Sequence, residues 1–113
     1  MHRKGVLLKP VEFVGDALVQ LRDFPRTIRR AAGYQIDRVQ RGLDPDDWKA
    51  MPAIGPGVRE IRVRGLAGAF RLFYLATLHD RVVILHAFQK KAQRTARGDI
   101  ELARQRLRDL RKD

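Results

Sequence analysis

Val58-Arg59-Glu60-Ile61-Arg62-Val63-Arg64, Gly65-Leu66-Ala67-Gly68 and Ala69-Phe70-Arg71-Leu72-Phe73-Tyr74 form the stretch that decides the fold. In its first segment Ile61 and Val63 share one face of a strand, while Glu60, Arg62 and Arg64 share the other, because successive side chains point to opposite sides. A glycine-bounded turn leads into a second strand, from about Ala69 to Leu78, that is apolar on both faces. His79-Asp80 makes the next turn, and Arg81 to Phe88 forms a third strand, again apolar on both sides through Val82, Val83, Ile84, Leu85 and Ala87. Two adjacent strands of this kind predict a sheet covered on both faces by helices.

The helices are read on either side of this block. Val11-Glu12-Phe13-Val14 alternates like a short strand, and Gly15-Asp16 offers a turn and an N-cap for a helix to about Leu21. Pro25 suits the first turn of a second helix, in which Ile28, Ala32, Ile36 and Val39 recur at three- and four-residue steps until Gly42 stops it. This helical hairpin carries Arg26, Arg29, Arg30, Arg38 and Arg41 on its outer face, read either as a solvated surface or as a contact for a partner protein or nucleic acid. Leu43 to Gly57, with three prolines, is expected to be an irregular connection in which Trp48 anchors the loop. Beyond the sheet, Ile100, Ala103, Leu107 and Leu110 form one stripe of a last helix from about Ala96, with Thr95 as its candidate cap. The predicted order is β-α-α-β-β-β-α, an α+β domain spanning residues 9–113 with a small, mostly antiparallel sheet, preceded by an extension over residues 1–8.

At 113 residues the chain is long enough for one core and too short for a second. Its 24 Lys and Arg against 13 Asp and Glu give a net charge of +11, which predicts attraction to a polyanion. No cysteine is present, so disulfides and thiolate-bound metals are excluded, and three scattered histidines make a poor zinc site. The first apolar run, Val6-Leu7-Leu8, is too short for a signal peptide or membrane span, which sets a cytoplasmic protein as the expectation. No glycine-rich phosphate loop, nucleophile elbow, paired-carboxylate site or metal-ligand spacing is found in the sequence.

The candidate site is therefore cationic. If the three strands are neighbours, Arg62, Arg64, Arg71 and the Lys90-Lys91 pair converge on one concave region, joined by Arg94 from the loop that follows. Arginine forks match phosphate oxygens and keep their charge, the requirement for holding a phosphodiester. Arg71 interrupts an apolar run, so it either pairs with Glu60 across the hairpin or reaches a substrate. His86 is read either as a hydrogen-bonded core residue or as a proton carrier near neutrality; unbroken alternation puts it on the face of Val82, Ile84 and Phe88.

This element order, the strand-two arginines, Phe70-Arg71-Leu72-Phe73-Tyr74 and Leu85-His86-Ala87-Phe88-Gln89-Lys90-Lys91-Ala92-Gln93-Arg94-Thr95 resemble the RelE/ParE toxin superfamily, specifically its phage-derived, HigB-like branch. Gly33-Tyr34-Gln35-Ile36, Gly42-Leu43-Asp44-Pro45 and Trp48-Lys49 are also similar to that branch, and the likeness covers about Lys9 to Leu110. The resemblance implies a type II toxin, restrained by a cognate antitoxin of helix-turn-helix type, that cleaves mRNA on the ribosome as a metal-independent endoribonuclease without a cofactor. It places Arg71 at the scissile phosphate, Arg62 at a basic strand position and Lys91 near the basic residue after the last strand. Where such sites carry a second strand lysine this chain has Glu60, and the family's C-terminal tyrosine has no counterpart beyond Thr95. His86, Lys90 and Glu60 remain the contenders for general base. A ParE-like gyrase poison and a non-toxic basic nucleic-acid-binding module are the alternative functions.

Overall fold

The computed structural model describes residues 8–112, so the expected extension over residues 1–8 lies outside the described residues apart from Leu8. The elements are β1 (Val11–Phe13), α1 (Ala17–Arg22), α2 (Arg26–Gln40), β2 (Trp48–Ala50), β3 (Val58–Gly65), β4 (Gly68–Leu75), β5 (Val82–Lys90) and α3 (Arg97–Leu110). The strands make one sheet in the order β1-β5-β4-β3-β2. Only the β1–β5 pair is parallel, with the other three ladders antiparallel, so the molecule is α+β with a five-stranded mixed sheet and three helices. Among the described residues no helix is long and apolar enough to cross a membrane.

The sheet is covered on both faces, as its doubly apolar strands demand. On one face Ile61, Val63, Phe70, Leu72, Tyr74, Val82, Ile84 and Ala87 pack against Leu21 of α1 and Ile28, Ala32, Ile36 and Val39 of α2. On the other, Val58, Phe73, Leu75, Val83, Leu85 and Phe88 pack against Ala103 and Leu107 of α3, with Met51 and Ile54 from the preceding connection. Both helices bury the stripes that their sequence periodicity marks.

Local chemistry fixes the boundaries. At the end of α2, Gly42 takes φ +81°, a left-handed conformation that costs glycine little. There the Gly42 amide donates to the Val39 carbonyl and the Leu43 amide to the Arg38 carbonyl, the paired bonds of a Schellman termination. Asp16 stands at the N-cap of α1 without capping it through its side chain. Its carboxylate instead accepts from Arg106 of α3 at 2.6 Å, tying the two helices together around the sheet edge.

Three expectations are corrected. The segment from Leu43 to Gly57 is not wholly irregular, because Trp48–Ala50 pairs antiparallel with Arg59–Ile61 as β2. Three residues between proline-rich turns are too few for alternation to be legible, and here tertiary pairing makes the strand. Arg59 sets its guanidinium 3.8 Å above the Trp48 ring and ion-pairs with Asp44 at 2.9 Å, which pins this segment to the sheet. Second, His86 does not share a face with Val82 and Ile84. Tyr74 pairs with Ile84 and Phe73 with His86, so Leu85 is an extra residue in a bulge and parity reverses beyond it. His86, Phe88 and Lys90 thereby face α3 with Val83 and Leu85. Third, Ala96 rather than Thr95 occupies the N-cap of α3, and the Thr95 hydroxyl donates to Glu60 instead.

Candidate functional site

Register builds the site before any side chain is considered. Arg62 lies directly opposite Arg71 in the β3–β4 ladder, and Phe88 of β5 stands on the far side of Arg71. Like charges opposed in a sheet repel, so this pair needs an anion close by. Glu60, two residues along β3 on the same face, supplies it: one carboxylate oxygen lies 3.6 Å from Arg71 Nε and 3.4 Å from Arg62 Nε, and the other accepts from Thr95 Oγ1 at 3.2 Å. Glu60 and Arg71 are 2% and 3% exposed, so the network lies beneath the surface and links the strands to the loop between β5 and α3.

The Arg71 guanidinium is incompletely satisfied. One terminal nitrogen donates to the Phe70 carbonyl at 3.0 Å, but Nε is buried with no hydrogen-bond partner, its distance to Glu60 being too long for one. Burial is the largest influence on its acidity and pulls it below the ordinary arginine value; Glu60 opposes that shift, and the neighbouring Arg62 and Arg64 add to it. A buried donor left without an acceptor costs free energy, and the nearest anion to this one is the Glu60 carboxylate.

Above Arg71 opens a groove of about 700 Å³ lined by Arg64, Arg71, Lys90, Lys91 and Gln93, with Gly65, Gly68 and Ala69 at the tip of the β3–β4 hairpin. Gly68 has φ +126°, which an L side chain rarely adopts, and it lets this tip turn tightly beside the groove. A smaller recess of about 310 Å³ lies alongside, lined among others by Lys49, Glu60, Arg62, Arg94 and Thr95. Lys90 and Gln93 line both. The sequence-predicted cations therefore fall into two adjoining hollows: Arg64, Arg71 and Lys91 in the groove, Arg62 and Arg94 in the recess, and Lys90 as the wall between.

His86 lines neither hollow. Its Nε2 lies 2.6 Å from Asp99 Oδ1 in the first turn of α3, its ring stacks on Phe88 with centroids 4.8 Å apart, and it is 6% exposed. The contact fastens α3 to the sheet, with an acidic side chain placed where the helix N-terminus favours one. The sequence reading missed the contributions of Gln93, Lys49 and Asp99, and Thr95 entered it as a cap and as the one position facing the family's tyrosine, without its link to Glu60. For Asp99 a signal existed, an acid just inside a helix start after a basic loop; for Lys49 and Gln93 none did, because their placement follows from β2 and from the path of that loop.

The arrangement can grip an anion, neutralise its charge with guanidinium and ammonium groups, and hold those groups rigid through a buried carboxylate. No curated protein matches the chain. The family model for phage derived protein Gp49-like (DUF891) matches residues 19–108, a span that holds the hairpin, the sheet from β2 to β5, the groove and nearly all of α3. On that match the chain belongs to the phage-derived Gp49-like family, a RelE-like toxin family.

Proposed function

We propose that this protein is the toxin of a type II toxin-antitoxin pair, of the HigB-like branch, and that it cuts mRNA on the ribosome by metal-independent transesterification. The observation that carries the reading is the groove itself, in which a buried arginine with an unpartnered Nε stands under Arg64, Lys90 and Lys91. In the proposed reaction the ribose 2′-oxygen gives its proton to a base and bonds to the adjacent phosphorus, the bond from phosphorus to the 5′-oxygen of the next nucleotide breaks, and that oxygen takes up a proton, leaving a 2′,3′-cyclic phosphate and a 5′-hydroxyl. Arg71 meets the phosphate oxygens, Lys90 and Lys91 neutralise charge that builds on the pentacoordinate phosphorus, and Arg64 holds the flanking phosphate. Arg62 and Arg94 grip the strand from the recess. Glu60 acts as a positioning residue that keeps Arg62 and Arg71 side by side. His86 acts indirectly, by holding α3 and the base of the loop that carries Lys91.

The protein partner would be a cognate antitoxin, of helix-turn-helix type, whose acidic segment covers the cationic hollow, and the site of action would be the cytoplasm. The test is expression of the chain alone with and without a brief pulse. Rapid loss of translation with new 5′ ends in ribosome-bound mRNA supports the reading. DNA damage signalling with linearised plasmid supports gyrase poisoning instead, and unaffected growth with retained RNA binding supports a non-toxic binding module.

A further inference from the structure

The arginines of the α1–α2 hairpin are not equivalent. Arg38 reaches Asp46 at 3.5 Å and the Asp44 carbonyl, and Arg41 pairs with Asp37 at 2.8 Å. Arg22, Arg26, Arg29 and Arg30 are exposed, and among the described residues none of them has a carboxylate within ion-pair distance. Among the described residues their one side-chain hydrogen bond runs from the Arg29 guanidinium to the Arg22 main-chain carbonyl at 3.2 Å and joins α2 to the end of α1. Arg26 and Arg30 stand one turn apart, about 6 Å along the axis. Tyr34 extends the same stripe by another turn and is 57% exposed, while the space around Gly33 beside it is open.

The helix that carries three of these arginines packs against the hairpin that lines the groove. A Cβ at Gly65 would lie 3.1 Å from Ile28 Cδ1, and the Phe24 and Phe70 rings sit 4.8 Å apart, so the first turn of α2 abuts the end of the β3–β4 hairpin. Arg64, Gly65, Gly68 and Ala69 at that end line the groove from the α3 side of the sheet. The hairpin tip thus lies between the groove, on the α3 face of the sheet, and the first turn of α2 on the other face, whose arginines stand on the exposed side of the helix.

We propose that Arg22, Arg26, Arg29 and Arg30 hold a second stretch of the RNA strand that occupies the groove, after it has crossed the Gly65–Gly68 tip, with Tyr34 offering a ring for a base beyond the last phosphate contact. The proposal rests on the reading of the groove as an RNA site. RNA is favoured over an acidic protein because the surface lies on the helix packed against the groove's hairpin, carries only arginine as its cation, and ends in an exposed aromatic ring on which an unpaired base can stack.

The experiment uses uncleavable 2′-O-methyl oligonucleotides about 4 and about 12 nucleotides long, with binding followed by fluorescence anisotropy across a salt series. The hairpin variant is Arg26→Gln/Arg29→Gln/Arg30→Gln, exposed positions whose loss should leave the fold intact. The groove variant is Lys90→Gln/Lys91→Gln. The hairpin variant is expected to bind the short oligonucleotide like the wild type. For the long one it should bind roughly tenfold more weakly, with the slope of log affinity against log salt shallower by about 2 for three lost contacts. Wild-type affinity and slope for the long oligonucleotide would overturn the proposal, as would a hairpin variant that loses only poly-glutamate binding, the mark of an acidic protein partner. Weakening by the hairpin variant alone, with the groove variant at wild-type strength for both lengths, keeps the arginine surface and sinks the groove reading, so the two failures are told apart.

Discussion

On the face of the sheet that α1 and α2 cover, Ile61, Leu72 and Ile84 are fully enclosed and, among the described residues, no charged side chain is buried with them. On the face that α3 covers, Glu60, Arg71 and His86 are buried beside Phe73 and Phe88 in the same strands. The first face gains stability from apolar burial, at roughly 25 cal/mol per Å² removed from water. The second gives some of that up, since two opposed arginines and a buried carboxylate replace what would otherwise be apolar contact. The comparison teaches that one sheet can differ by face: one side is apolar throughout its core, and the other sets a buried carboxylate and cations beside an apolar cluster of its own. It also explains why strands that look equally apolar from outside are unequal in role.

Substitutions can break that contrast. The largest effect is expected from Arg71→Ala, which should lower RNA cleavage by about 10²- to 10³-fold. Glu60 keeps Arg62 and Thr95 as partners in this variant, so the melting transition should stay cooperative and near that of the wild type; purified protein assayed on programmed ribosomes, with calorimetry alongside, would check both. Full activity of Arg71→Ala would remove the ionic face from the proposed chemistry. Leu72→Ala, one residue away on the dry face, should do the reverse. Its side chain is completely buried, so chemical denaturation should show a loss of about 3 kcal/mol, and any loss of activity should track the unfolded fraction.

Glu60→Gln sharpens the contrast further. Removing that anion leaves Arg62 with only Asp47 at 3.9 Å and Arg71 with no carboxylate within ion-pair distance among the described residues, and a stability loss of about 2 kcal/mol is expected together with reduced cleavage. If stability does not change, the carboxylate is not what reconciles the opposed arginines. The smallest effect belongs to Asp16, whose carboxyl is held below its ordinary value chiefly by the hydrogen bond from Arg106, with burial acting in the opposite sense. Because the folded value is the lower one, this bond stabilises the protein above the unfolded pKa of about 3.9 and is lost as pH falls through the folded value. The side chain is half exposed, so Asp16→Asn should cost less than about 1 kcal/mol at neutral pH and flatten the acid limb of the stability curve below about pH 4.

Much of this was legible along the chain. The buried stripes of α2 and α3 and the strand character of β3, β4 and β5 repeat over enough residues to show a period. Arg64, Arg71, Lys90 and Lys91 could be placed together because short turns make consecutive strands neighbours. Other features left no such trace. The strand at Trp48 has only three residues, and the reversal at His86 comes from one bulged residue, Leu85, that no local pattern marks. The division of the arginines into paired and unpaired sets depends on carboxylates distant in sequence, such as Asp46 for Arg38 and Asp16 for Arg106.

Sequence by itself thus determined which of the longer segments are helix or strand and that the chain is rich in cations, since both follow from side-chain identity and short-range periodicity. Tertiary structure decided the register that opposes Arg62 to Arg71, the burial of Glu60 between them, the turning of His86 toward Asp99 and the choice of which arginines stay unpaired. Those outcomes depend on contacts between residues far apart in the chain, where one extra residue in a strand or one distant carboxylate changes what every neighbouring side chain meets.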